Sequence, residues 1–379
     1  MRASELSWSA TEAWNGDQIG SNRANLVLYF GARRALAEKT RFDELREIFP
    51  NAHVLGCSTG GQIHNGDVVD DKITALAISF DTTKLKLACE PVTSPDASHN
   101  CGATIGRALN ADDLAGIFVL SDGLNVNGSE LVAGITSVVG RKASLTGGLA
   151  GDGAEFSETL VGADDAPRSH RVAAIGFYGP AIRIGHGSAG GWDVFGPRRR
   201  ITRSIGNLLL ELDGEPALDL YERYLGEEDA KGLPGSALLF PLQVCNPSQP
   251  DSEIMRTVLA VDRDKRTMTF AGDMPEGWIA QLMRGNFDRL SAGAADAARQ
   301  AQSGVGDGES VAILVSCIGR RLLMGQRISD EIEAACAVLG SKTRRLGFYS
   351  YGEISPHAAS GACELHNQTM TITTFHEAA

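Results

Sequence analysis

The sequence predicts an α+β fold in which mixed β-sheets and helices are built from repeated β-α-β-β units. Three observations lead there. Short apolar runs of strand length alternate with helical stretches of period 3.6. Each strand–helix–strand run ends in a glycine break that leads to a further strand. The same order of elements occurs three times, with little residue identity but with the glycines placed alike.

The chain opens on a polar lead-in over residues 1–23, where residues 9–14 carry a helical pattern. The first block follows. Residues 24–30 read as a buried strand, 41–48 as a helix, 52–61 as a strand breaking into glycine, and 73–80 as the closing strand. Residues 85–100 hold Pro91 and Pro95 among Thr, Ser and Asp, which reads as a loop before a helix at 101–109. The second block places a strand at 116–123, a helix at 129–139, a glycine-rich break at 144–153 and a strand at 172–178.

The texture changes over residues 180–310. Residues 181–185 and 201–213 are β-like, with turns at Gly191 and at Gly196-Pro197. Residues 215–225 form an amphipathic helix opened by Glu215 and Pro216. A hairpin is expected over 255–261 and 266–271, then an alanine-rich helix over 287–302 ended by Gly304 and Gly306. The third block has a strand at 311–317, a helix at 329–339, and a strand from Arg345 that breaks at Gly352. Its last strand, from Thr369, is β-branched and alternating. A new run of elements starts at Glu215, so the expected division is a lead-in (1–23), a first domain (24–213) and a second (214–379).

Composition narrows the function. The net charge of −12 and the pI near 5.2 argue against nucleic-acid backbones and anionic membranes, which select basic surfaces. The basic run Arg198–Arg200 with Arg203 reads as a solvated strand or loop face. Seven cysteines, scattered and without a C-x-x-C pair, fit free thiols in a reducing compartment. No signal-peptide pattern or run of membrane-spanning length occurs, so a cytoplasmic protein is expected.

Several motifs fail on context. Residues 185–190 match G-x-G-x-x-G, but no helix follows to face a pyrophosphate, so these glycines are assigned to turns. Residues 56–60 match the G-x-S-x-G elbow, again without the supporting helix. Cys57, Ser58, Thr59 and Gly60 are therefore expected to form a glycine turn lining a pocket, with Gly148 and Asp152 at the matching break of the second block. Residues 122–130 look like a calcium loop, but the glutamate comes too early; Asn and Ser capping the next helix is the better account. In the third block two strands in close sequence gather Tyr349, Tyr351, Glu353, His357, His366 and Asn367. Such a mixture of rings, carboxylate, imidazoles and amide suits a ligand pocket. No His pair stands at i, i+4 on a helix, so a zinc enzyme is not supported.

Residues 54–63 (VLGCSTGGQI), 145–153 (LTGGLAGDG), 185–192 (GHGSAGGW), 352–356 (GEISP) and 365–370 (LHNQTM) together resemble the FIST family (F-box and intracellular signal transduction). The resemblance covers the N- and C-terminal parts, from about Asn25 to Phe375. It implies a small-ligand sensor of bacterial signal transduction that is not an enzyme. It takes up nearly the whole chain, so signalling is expected to run through another protein. Stand-alone members include haem-binding nitric oxide sensors that regulate partner histidine kinases and cyclic-di-GMP enzymes, and the resemblance implies that role. No C-x-x-C-H occurs, so the haem b would be non-covalent, with His366 first and His357 second as axial ligand. Two alternatives stand beside it: a haem-free sensor of an amino acid or metabolite, and a hydrolase acting through Ser58 or Cys57.

Overall fold

A computed structural model describes residues 1–16, 23–303, 308–357 and 360–378. The expected helix stop at Gly304 and Gly306 lies outside the described residues, as does part of the lead-in. Helix accounts for 27% and strand for 44%, in mixed sheets, which makes the fold α+β as expected.

Each block forms the heart of a six-stranded sheet. At its centre is a parallel pair: Leu26–Gly31 with His53–Ser58, Leu114–Ser121 with Ser144–Leu149, and Ser310–Cys317 with Thr343–Ser350. Parallel strands need a crossover, supplied by the helices Lys39–Ile48, Gly128–Val139 and Ile328–Leu339. Strands covered on both faces read as unbroken apolar runs, which is why these were legible. An antiparallel strand then flanks each first strand: Ile73–Ser79, Arg171–Tyr178 and Met370–Glu377.

The glycine breaks exchange strands between sheets. After the break, Gln62–His64 leaves its own sheet and pairs with Thr343–Ser350 of the third block. Gly352–Pro356 of the third block pairs with Ser144–Leu149 of the second. Val161–Ala163 of the second pairs with His53–Ser58 of the first. The exchange closes a ring, so the three units form a pseudo-threefold assembly. Its shared core holds Phe30 against Phe348 (ring centroids 4.4 Å apart) and Phe177 against Phe375 (4.7 Å). All four rings are buried, each contributing about 1.5–3 kcal/mol of transfer free energy.

The middle region forms a further, eight-stranded sheet that includes Trp192–Ile205, Leu208–Leu212, Gln249–Arg256 and Ile279–Gly285. It packs on the helix Ala217–Leu225 around Ile201, Leu218, Tyr221 and Phe270. The hairpin expected around residues 262–265 is present as Val258–Asp262 and Thr267–Phe270.

Three local readings are corrected. Residues 9–14 are not helical: Arg2–Ser9 and Glu12–Gly16 form a hairpin on the edge of the first sheet. Lys84–Pro91 is a strand, paired with Arg171–Tyr178, because its apolar alternation outweighs a proline at its very end. Gly185 and Gly187 lie within the strand Ile182–Ala189 and serve no turn. A Cβ at either would fall 2.0 Å from a carbonyl oxygen of Ala301 or Ala297, so they let the helix Phe287–Gln302 lie directly on the strand.

Candidate functional site

The three breaks meet in the middle of the ring. Gly60 N donates to Tyr349 O at 2.8 Å, Gly151 N to Ser58 O at 2.9 Å, and Tyr351 N to Leu149 O at 3.3 Å. Backbone from all three units therefore touches here, as the matching glycines predicted. The side chains, however, point to different places.

Cys57 and Ser58 are fully buried. The Ser58 hydroxyl accepts from Leu160 N at 2.9 Å, and burial raises the Cys57 thiol well above its usual pKa. Neither has the base and the exposure that a nucleophile requires. Thr59 Oγ1 pairs with the Gln62 side-chain amide at 2.8 Å. Thr59, Gly60 and Asp152 line a charged cleft of about 290 Å³ with Arg33 and Arg321. Tyr349 turns inward, its hydroxyl donating to Glu331 Oε1 at 3.2 Å. Gly148 lies in the strand register opposite Glu353. The Glu353 carboxylate is sealed in, accepting from Ser350 Oγ at 2.6 Å and Thr369 Oγ1 at 3.0 Å. Burial drives its pKa up to about 8 in spite of those hydrogen bonds. Asn367 is 1% exposed and its amide atoms have no partner among the described residues. Cys57, Ser58, Gly148, Tyr349, Glu353 and Asn367 line neither that cleft nor the two hollows described next.

Haem needs an imidazole nitrogen free to reach iron inside an apolar pocket. His366 Nε2 is bonded to Ser355 O at 2.9 Å and His357 Nε2 to Glu253 O at 3.2 Å, with the rings stacked 6.1 Å apart. Burial lowers the His366 pKa to about 4, with the Ser355 carbonyl opposing it. Both rings border a groove of about 300 Å³ that also has Gln243, Glu253 and Thr369 in its walls. The larger, apolar cavity has no histidine in its lining. A carbonyl on one ring nitrogen is what a metal-ligating imidazole also keeps; it is the small, polar-walled groove beside both rings that does not fit haem, which needs an apolar pocket.

The apolar cavity, about 420 Å³, is smaller than the open hollow of about 640 Å³ beside Met1, Glu309 and His376, but it is more enclosed and more apolar. It lies beyond the carboxyl ends of the parallel strands Leu114–Ser121, Ser144–Leu149 and Ser310–Cys317, where open α/β sheets also hold their ligands. Leu124, Val126, Leu149, Ile318 and Leu365 wall one side; Val258, Leu259, Phe270 and Leu238 of the middle region wall the other. Beside the cavity, hydrogen bonds cross this junction from Asn127 Nδ2 to Asp273 Oδ1 at 3.1 Å and from Arg256 Nη1 to Leu365 O at 3.0 Å; Trp192 Nε1 to Gln368 O at 2.8 Å crosses it farther off.

The loops at its rim are held by two buried carboxylates. Asp122 Oδ1 accepts from Leu124 N and Asn125 N, both at 2.8 Å, which shapes the turn before the helix that Asn127 caps. Asp152 gathers Phe156 N (2.9 Å), Ser157 N (2.9 Å), Glu158 N (3.0 Å) and the Tyr351 hydroxyl. Burial alone would raise its pKa, but these donors outweigh it and hold the carboxyl below its usual range. The result sets Phe156 flat on Tyr351, centroids 4.6 Å apart and planes 13° apart, at the cavity wall. Of the residues singled out from sequence, Tyr351 alone is in the lining, with Asp152 positioning it. Phe156, Asn127, Thr257 and Cys317 were missed. The middle-region strand gave one signal, a lone Arg256 in an otherwise apolar run.

Similarity to known proteins agrees with the sequence motifs. The FIST N domain matches residues 25–215 and the FIST C domain residues 217–356. An uncharacterised protein of Methanocaldococcus jannaschii is 26% identical over 229 residues, 55% of this chain and 42% of that protein's length. A cyanuric acid hydrolase structure from A. caulinodans covers 95% of this chain and 92% of its own at a TM-score of 0.39 and 8% identity. A second cyanuric acid hydrolase structure, with the same coverage, gives 0.30 and 11%. The expectation that the chain is not an enzyme is corrected on this point, because the solved structures it resembles are those of hydrolases. At such TM-scores the likeness transfers neither a substrate nor a reaction.

Proposed function

Because the chain belongs to the FIST family, whose domains are sensors of signal transduction, we propose that its small ligand occupies the 420 Å³ cavity at the junction of the threefold ring and the middle region. The observation that carries this reading is the two-sided lining. A ligand there touches loops of two ring units on one side and the eight-stranded sheet on the other. Filling it adds apolar contact to a junction that hydrogen bonds such as Asn127–Asp273 and Arg256–Leu365 span, and so couples binding to the placing of the middle region. The ligand is haem-free in this proposal, since the cavity wall offers no imidazole. A reducing cytoplasm is part of it, supported by seven cysteines that are all free. No helix among the described residues is long and apolar enough to cross a membrane.

Native mass spectrometry of the protein, before and after denaturation, tests the reading. We expect a co-purifying small molecule that is released on unfolding. Leu124, half-buried at the rim, is replaced by Trp to fill the cavity without disturbing the core. The small molecule should then be absent while the melting temperature of the ligand-free form is kept. A ligand retained by Leu124→Trp refutes the placement.

A further inference from the structure

The lining of the junction cavity contains no charged residue, yet a buried cation stands directly behind it. Arg256 is 5% exposed and gives its hydrogen bonds to carbonyls: Nε to Asp273 O at 3.1 Å, Nη1 to Met255 O at 3.2 Å and to Leu365 O at 3.0 Å. Asp273 and Glu364 act on it electrostatically, but neither forms an ion pair with it, in contrast to Arg320, whose guanidinium meets Glu331 at 2.7 Å. Burial pulls its pKa down to about 10, so it remains a cation at neutral pH. A buried charge whose direct hydrogen bonds all go to carbonyls, with its carboxylates only at longer range, is costly, and an anion in direct contact would stabilise it.

Two lining residues stand next to that charge. Gly272 is in the lining, and a Cβ there would stand 2.9 Å from Arg256 Nε and 3.0 Å from Cζ. With no side chain at that point, the guanidinium lies against the backbone of a residue that lines the cavity. Thr257, next on the strand, is also in the lining. It is 6% exposed, and its hydroxyl has no hydrogen-bond partner among the described residues. Buried hydroxyls are normally paired, so this one is short of a partner that the ligand can supply.

We propose that the cavity takes a small apolar monocarboxylate, an aryl- or alkyl-carboxylic acid, with its carboxylate at Arg256 and Thr257 and its tail among Leu124, Leu149, Phe156 and Ile318. This rests on the cavity being the sensor's ligand site. The lining has no Asp or Glu to receive an ammonium group, so the matching amino acid is disfavoured.

Isothermal titration of the full chain at neutral pH with hydrocinnamate, hydrocinnamyl alcohol and phenylalanine tests the proposal. Hydrocinnamate should bind about 10–100-fold more tightly than the alcohol, the worth of a charge-assisted hydrogen bond. Phenylalanine should bind more weakly than hydrocinnamate. Arg256→Met should make acid and alcohol equal. If that variant does not fold, Thr257→Val decides: the acid should weaken about tenfold while the melting temperature of the free protein stays level or rises, since an orphan hydroxyl is removed. Equal affinity of acid and alcohol for the natural chain overturns the carboxylate proposal and leaves the cavity reading standing. Binding of none of the three probes overturns both.

Discussion

Arg320→Met should be among the most damaging single changes in this protein. Arg320 and Glu331 are both fully buried, with Nη2 at 2.7 Å and Nε at 2.8 Å from the carboxylate. The same guanidinium donates to Gly190 O at 2.9 Å and Leu290 O at 2.8 Å. It thereby ties the crossover helix Ile328–Leu339 to the end of the strand Ile182–Ala189 and to the helix Phe287–Gln302. Methionine fills similar space but leaves Glu331 with only Ser316 Oγ (2.9 Å) and Tyr349 OH (3.2 Å) against its charge. Removing one member of a buried pair costs about 3–5 kcal/mol, because the other charge is left uncompensated. Arg320→Met paired with Glu331→Leu removes both charges and should recover most of that loss. Urea unfolding of the two single variants and the double variant measures it, with unchanged slopes showing that the transition itself is comparable. A cost below about 1 kcal/mol for the single change, or a double variant no better than either single, refutes the reasoning.

Three further outcomes are expected. Glu377 accepts from the backbone N–H groups of Asp81, Thr82 and Thr83, which outweigh its burial and lower its pKa from 4.5 to about 2. Its contribution, at most about 3 kcal/mol, is present above pH ~4.5 and is lost as pH falls toward 2; Glu377→Gln should flatten that acid limb in pH-dependent melts. Glu353 has the opposite sign: with its pKa raised to about 8, the folded state keeps a proton that the unfolded chain releases above pH ~4.5. Stability should therefore fall as pH rises toward 8, and Glu353→Gln should abolish that slope; an unchanged alkaline limb contradicts the assignment. Ser58→Ala should cost about 1–3 kcal/mol by leaving Leu160 N without its acceptor. A serine-reactive probe that labels Ser58 stoichiometrically would show instead that the hydroxyl is accessible.

The threefold repeat, the α+β class and the meeting of the glycine breaks were legible in the sequence. Each rests on local pattern: apolar strand runs, helical periodicity, and glycines at matching offsets. The apolar run at 116–121, for instance, reads as strand whatever lies beside it, and the Asn and Ser within residues 122–130 read as caps of the next helix, a role that Asn127 fills. The edge strand Lys84–Pro91 was hidden because Pro91 at its end and Pro95 beyond it read as a loop, whereas its pairing with Arg171–Tyr178 is a tertiary fact.

Only the tertiary structure decided where the site lies. Sequence placed Tyr349, Tyr351 and Glu353 together because they are neighbours on one strand region. Spaced i, i+2 and i+4, they would share one face of an unbroken strand; instead the chain leaves one sheet after Ser350 and enters another at Gly352, so Tyr349 goes to Glu331, Tyr351 to Asp152 and Glu353 into the interior. Conversely, the cavity brings Leu124, Thr257 and Ile318 to one wall system, although they are far apart in the chain and share no motif. Pairing across such separations is set by which strand each break hands to which sheet, and no local pattern of residues records that choice.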